Sequence, residues 1–207
     1  MMEHMNKRNA IKIIASGACL VSAAGMIVAC SEASPKFTAI DITGADYARD
    51  FALTDHNGQL RTLNDFKGKI VMMFFGYTQC PDVCPTSMVE MASIRKLMGK
   101  DGDKIQGLFV TVDPERDKAD MLKAYMENFD PSFLALLPAP DKLAALAKDY
   151  KVYYKKVDGP TPTSYTMDHT AGSYVYDTQG KLRLFTRYGT PAEKTAADIR
   201  ILLQQAP

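Results

Sequence analysis

Apolar and polar residues follow one another along this chain in patterns that mark its elements. The run Ile70-Val71-Met72-Met73-Phe74-Phe75 contains no polar side chain and ends at Gly76, which suits a strand buried on both faces. Ile105 to Val112 predicts a second strand of this kind, and Phe133 to Leu137 a short third. Helical recurrence separates them. From Pro85 onward Val89, Ile94, Leu97 and Met98 continue one apolar face, and between Asp117 and Phe129 the apolar side is Met121, Leu122, Tyr125, Met126 and Phe129. Asp141 is placed to cap a helix rich in Ala and Leu that reaches Tyr150, and a last helix spans Pro191 to Gln204. Strands alternating with helices predict parallel pairing with right-handed crossovers.

Shorter patterns flank this core. Phe51 to Thr54 and Gln59 to Leu63 straddle Asn57-Gly58, a hairpin signal near the start of the domain. Gly172 to Asp177 and Lys181 to Thr186 predict a second hairpin, with Gly180 supplying a left-handed turn position. Val152 to Val157 has strand character, whereas Asp158 to Ser164 is turn chemistry throughout and is expected to be exposed, just before Asp168-His169-Thr170. Every segment finds a place in one three-layer α/β domain with a central mixed sheet and an N-terminal hairpin.

The first thirty residues do not belong to that pattern. Lys7, Arg8 and Lys12 precede a run from Ile13 to Ala29 without a charge, which ends at Cys30 and reads as a secretory signal. Ile27-Val28-Ala29-Cys30 resembles the bacterial lipoprotein signal, in which the cysteine is lipidated and becomes the mature N-terminus. The expected organisation is a signal peptide over residues 1–29, a tether over 30–39 and a folded domain over 40–207. An uncleaved anchor is the alternative, since about 17 apolar residues just span a bilayer. Either way the domain sits outside the cytoplasm, on a membrane of a bacterial cell envelope, for instance in the periplasm. Removing 29 of the 207 residues leaves 178 and takes the formal charge from +1 to −1, because three Lys/Arg and one Glu go with them. A chain of this size buries roughly 70% of the surface its unfolded form exposes. A balanced charge argues against a nucleic-acid partner, whose binders carry a basic excess.

Of four cysteines, Cys19 lies in the signal and Cys30 at its end, so Cys80 and Cys84 remain in the domain. Thioredoxin-type redox catalysts place two residues between their cysteines. Here Pro81, Asp82 and Val83 make three, a longer loop that can spread two sulfurs around a metal ion. Pro85 is expected at the first helical position, which puts Cys84 near the N-cap, where the helix dipole should lower its pKa from roughly 8.5. His169 is the one histidine outside the signal and the first hairpin turn, where His56 is expected to be solvated. Two sulfurs and one imidazole nitrogen suit three-coordinate Cu(I). Zn(II) would need a fourth ligand, Cu(II) an added oxygen, and a plain Cys80–Cys84 disulfide needs no metal at all. Asp113 falls at the C-terminal end of a parallel strand, where open α/β sheets place their sites. It either orients a ligand or meets a partner, or it forms a turn before Pro114. Asp82 either tunes the charge of the site or favours its turn. Met88 and Met91 follow Cys84 at i+4 and i+7 and read as core, as does Met167.

Three stretches go further by resemblance. Gly76-Tyr77-Thr78-Gln79-Cys80-Pro81-Asp82-Val83-Cys84-Pro85, then Thr111-Val112-Asp113-Pro114-Glu115-Arg116-Asp117, then Asp168-His169-Thr170 resemble, in order, the three signatures of the Sco/SenC family of copper chaperones for cytochrome c oxidase. The likeness covers about Ile40 to Tyr188. It implies a thioredoxin-like fold, membrane attachment, and copper, as Cu(I) with Cu(II) a second state, held by Cys80, Cys84 and His169. It also implies an upstream periplasmic copper donor and, as acceptor, the binuclear site of the oxidase's copper-bearing subunit. The alternative role is thiol-disulfide reduction of that subunit's cysteines or of other extracytoplasmic proteins, which would make the chain an enzyme. A lipidation motif in place of the family's more usual transmembrane helix is a departure that affects tethering.

Overall fold

Every residue of β4 (Ile70–Gly76) and of β5 (Ile105–Thr111) is buried, and the two polar side chains among them, Gln106 and Thr111, are hydrogen-bonded. The two pair in parallel from Ile70 opposite Ile105 to Gly76 opposite Thr111. This computed structural model describes residues 36–161 and 164–205. The signal expected over residues 1–29 and the expected lipidation position Cys30 lie outside the described residues. Among those described, no helix is long and apolar enough to cross a membrane.

The remaining elements are β1 (Ile40–Asp41), β2 (Leu53–Asp55), β3 (Leu60–Arg61), α1 (Val83–Leu97), α2 (Ala119–Glu127), β6 (Leu134–Leu137), α3 (Leu143–Asp149), β7 (Tyr154–Asp158), β8 (Tyr165–His169), β9 (Gly172–Tyr176), β10 (Leu182–Arg187) and α4 (Ala192–Gln204). Eight strands form a mixed sheet in the order β1-β10-β9-β4-β5-β6-β2-β3. β4, β5 and β6 are parallel, and β9, β10 and β2 run antiparallel to their neighbours. Both expected hairpins form, with Gly58 at φ +80° and Gly180 at φ +76° in their turns.

The sheet is covered on both sides. Phe74 and Phe109 pack together on the side of α1 and α2, where Phe109 also meets Tyr125. On the other side Phe75 packs on Tyr150, the C-cap of α3, and on Tyr174. Burying such side chains stabilises the fold by roughly 1.5–3 kcal/mol each.

Several local expectations are corrected. Helix α1 begins at Val83, so Pro85 is its third residue and Cys84 its second. Proline is tolerated there because the first-turn N–H groups have no intrahelical acceptor in any case. The buried face of α1 is Cys84, Ser87, Met88, Met91 and Ile94, extended by Met98; Val89 is 54% exposed and Leu97 is exposed too. Val89 and Leu97 are apolar but lie off the buried stripe, so the expected face is right at Ile94 and Met98 and wrong at these two. Met121 of α2 likewise faces out, at 43% exposure, while Leu122 and Met126 are buried. Asp141 does not cap α3, because a turn at Ala139 already accepts the N–H groups of Lys142 and Leu143. His56 is half-buried, not solvated: its Nδ1 accepts the Ala135 N–H at 3.1 Å, and burial lowers its pKa.

Candidate metal centre

Gly76 closes β4 and leaves room for a sulfur. A Cβ built there would stand 2.9 Å from Cys84 Sγ, 2.8 Å from the Phe74 ring and 2.9 Å from the Phe109 ring. The chain then turns through Tyr77-Thr78-Gln79 to Cys80. Thr78 anchors this turn: its N–H and hydroxyl donate to the buried carboxylate of Asp117 at 3.1 and 2.5 Å, and Thr111 at the end of β5 donates to the same group at 2.6 Å. Burial pushes the Asp117 carboxyl upward in pKa. The hydrogen bonds oppose that, each of the kind worth roughly 1.5–3 kcal/mol when one partner is charged.

Cys84 enters α1 fully buried, while Cys80 is half-buried; both thiols are free. The Cys84 N–H donates to Cys80 Sγ at 3.4 Å. Cys80 sulfur therefore takes the place of an N-cap acceptor and sits against the positive end of the helix. This reverses the expectation that Cys84 is the ionised thiol. The hydrogen bond from the Cys84 thiol, chiefly, holds Cys80 down to about 3, with His169 adding to the effect. That same bond, followed by burial, pushes Cys84 far upward. One negative charge is thus shared by the pair and centred on the more accessible sulfur.

His169 ends β8, a strand that composition had not separated from the surrounding loop. β8 pairs with β7 from Tyr154 opposite His169 to Asp158 opposite Tyr165, as a two-stranded sheet of its own. The imidazole stands edge-on to Phe74 and Tyr77, with centroids 5.8 and 6.0 Å away. Its Nδ1 lies 3.0 Å from the Thr170 carbonyl oxygen. A carbonyl only accepts, so Nδ1 donates there, and Nε2 stands 3.2 Å from Cys84 Sγ. Among the described residues, Cys80, Cys84 and His169 bring their ligand atoms within 4.8 Å of one another. Two soft sulfurs and an imidazole whose Nδ1 is engaged by a carbonyl, which keeps Nε2 as its ligand atom, fit a soft ion such as Cu(I).

The two acids singled out from sequence lie elsewhere around this centre. Asp82 occupies the N-cap position of α1, exposed, and makes no side-chain cap bond. Asp113 is 3% exposed; its carboxylate pairs with Arg116 Nε and accepts the Tyr165 hydroxyl at 2.8 Å. Met88, Met91 and Met167 are buried, as expected. Thr78, Asp117, Arg116 and Tyr165 had not been singled out. Three of them fall inside the quoted motifs, but their pairings are between segments and leave no periodic trace.

A mixed sheet with a cysteine pair between its central strand and the following helix makes this a thioredoxin-like protein, here with a histidine completing the site. The chain belongs to the SCO1/SenC family, whose profile matches residues 41–204. It is similar to the SCO2-like protein of Rickettsia felis, 35% identical over 146 residues that cover 70% of this chain and 71% of that one. Its structure is similar to that of Bradyrhizobium japonicum ScoI with copper bound, at 42% identity and a TM-score of 0.67, covering 74% of this chain and 97% of that chain. A SCO1/SenC family lipoprotein from Bacillus anthracis matches at 26% identity and a TM-score of 0.64, covering 74% and 92%.

Proposed function

We propose that this chain is a copper metallochaperone that binds copper through Cys80 Sγ, Cys84 Sγ and His169 Nε2. It takes copper from a periplasmic donor and passes it to the binuclear site of the copper-bearing subunit of cytochrome c oxidase. The acyl chain on Cys30 tethers it to a membrane of the cell envelope, with residues 40–207 as the copper-binding domain. The observation that carries the reading is the convergence of the three ligand atoms, with Nδ1 engaged by a carbonyl and Nε2 facing sulfur. Copper bound to a SCO1/SenC relative with 42% identity supports it, and a lipoprotein in the same family supports the tether.

Metal analysis of the full chain purified under reducing conditions, followed by anaerobic Cu(I) titration, tests this. One copper per chain is expected, lost when Cys80 or Cys84 becomes serine. No stoichiometric copper would end the reading.

The half-buried, strongly acidic Cys80 beside buried Cys84 favours a second role as a thiol-disulfide oxidoreductase. The Cys80 thiolate would attack a substrate disulfide and release one substrate thiolate. Cys84, once deprotonated, would then attack the mixed disulfide at Cys80 sulfur and release the second, leaving a Cys80–Cys84 disulfide. Two electrons pass to the substrate. Reduction of an oxidised oxidase peptide without metal would support this role, and absence of turnover would remove it.

A further inference from the structure

The donors of the centre come from two pieces of chain that share no sheet. Cys80 and Cys84 follow the main sheet, whereas His169 is carried by the separate β7–β8 ribbon. A lone two-stranded hairpin is at best marginally stable in water, and Lys155 to Asp158 of β7 are exposed. Met167 and Tyr154 pack their side chains on the core, but apolar contacts do not set a ribbon's position to within a ligand bond.

Directional contacts converge on Arg116. Its Nη1 donates to the Tyr165 carbonyl at the start of β8, at 2.9 Å, and to Gln79 Oε1, at 3.1 Å, the residue before Cys80. Its Nε pairs with Asp113, just past β5. The guanidinium carbon lies 3.4 Å from the centroid of the Tyr165 ring, and the hydroxyl of that ring donates to the second oxygen of Asp113. One planar cation therefore ties the cysteine loop, the end of β5 and the histidine strand together. A lysine could neither fork between these acceptors nor stack in the same plane.

We propose that Arg116 is a positioning residue for the centre, holding the His169 ribbon against the cysteine loop with Asp113 and Tyr165 as its supports. This rests on the reading that Cys80, Cys84 and His169 bind copper. It gives Asp113 a purpose that neither a turn nor a partner contact supplies, since its buried carboxylate holds both the cation and the tyrosine.

The test uses the full chain as wild type, Arg116→Ala, Arg116→Lys and Tyr165→Phe. In metal-free protein, amide exchange over residues 165–170 should quicken by about tenfold in both Arg116 variants and by less in Tyr165→Phe, with β4 and β5 unchanged. Cu(I) affinity, read by chelator competition, should fall by about 10- to 100-fold, as for other groups that orient metal ligands. Adding His169→Ala to Arg116→Ala should cost little more than His169→Ala alone. Unchanged ribbon exchange in the Arg116 variants, or fully additive losses with His169→Ala, would overturn the proposal. Should Arg116→Ala fail to fold, Arg116→Lys and Tyr165→Phe carry the same comparison. If the wild type bound no copper, the copper reading would fall while the exchange measurement still decided the role of Arg116.

Discussion

The Nε2 atom of His169 stands 3.2 Å from Cys84 Sγ, although 85 positions of sequence separate the two residues. Nothing local to either residue accounts for that contact. It depends on β4 delivering the cysteines, on the β7–β8 ribbon delivering the imidazole, and on the Thr170 carbonyl holding the proton on Nδ1.

Replacing His169 with alanine leaves two sulfur donors and removes the only nitrogen. Cu(I) affinity should fall by at least about tenfold, or ~1.4 kcal/mol, and nitrogen hyperfine structure should vanish from the spectrum of a Cu(II)-loaded sample. Chelator competition and electron paramagnetic resonance check the two parts. An unchanged affinity would remove His169 from the site.

Cys80 and Cys84 should differ in reactivity, and pH reveals the sign. A thiol held down to about 3 is ionised at every pH above that value, whereas an ordinary thiol near roughly 8.5 loses tenfold in thiolate for each unit below it. Iodoacetamide should therefore label metal-free, reduced protein once, at Cys80, with a rate almost flat from about pH 5 to about pH 8. Cys84, raised and fully buried, should stay unlabelled. A rate rising tenfold per pH unit across that window would mark Cys80 as an ordinary thiol.

Gly76→Ala would press a methyl group against Cys84 Sγ and the rings of Phe74 and Phe109 at 2.8 to 2.9 Å. Overpacking of this kind costs about 1–3 kcal/mol. A lower denaturant midpoint at unchanged slope is expected, together with weaker copper binding, because the displaced atom is one of the proposed ligand sulfurs. A midpoint equal to that of the wild type would show that the strand end can yield.

Asp117→Ala would leave the hydroxyls of Thr78 and Thr111 without their acceptor. The expected loss is about 1–3 kcal/mol for the stranded buried groups, with faster exchange of the Thr78 amide. Equal protection of that amide in the variant would show that the cysteine loop is anchored by other contacts.

Much of the fold was legible locally. Ile70 to Phe75 and Ile105 to Val112 announced themselves as buried strands because a strand covered on both faces carries few polar positions, here Gln106 and Thr111. Asn57-Gly58 and Gly180 marked their hairpins because a left-handed backbone costs glycine nothing. The face of α1 was legible in part. Cys84, Met88 and Met91 fall at i, i+4 and i+7 and are buried with Ile94, but Val89 and Leu97 are apolar too, and only packing against the sheet decided that they face out. Strand β8 was hidden because Tyr165 to His169 mixes exposed and buried positions on a narrow ribbon.

By itself the sequence determined the chemistry available: two thiols with three residues between them after a buried strand, His169 as the one histidine beyond His4 and the first hairpin, and two further cysteines ahead of the fold, in a stretch expected to be a leader. These are matters of residue type and spacing, which the chain carries in order. Tertiary structure alone decided that the Cys80 thiol is pulled down while Cys84 is pushed up, that His169 turns Nε2 toward sulfur, and that Asp113 meets Arg116 and Tyr165. Each of those outcomes depends on which donor meets which acceptor at about 3 Å, and hydrogen bonds of that kind are set by packing between segments, not by their order along the chain.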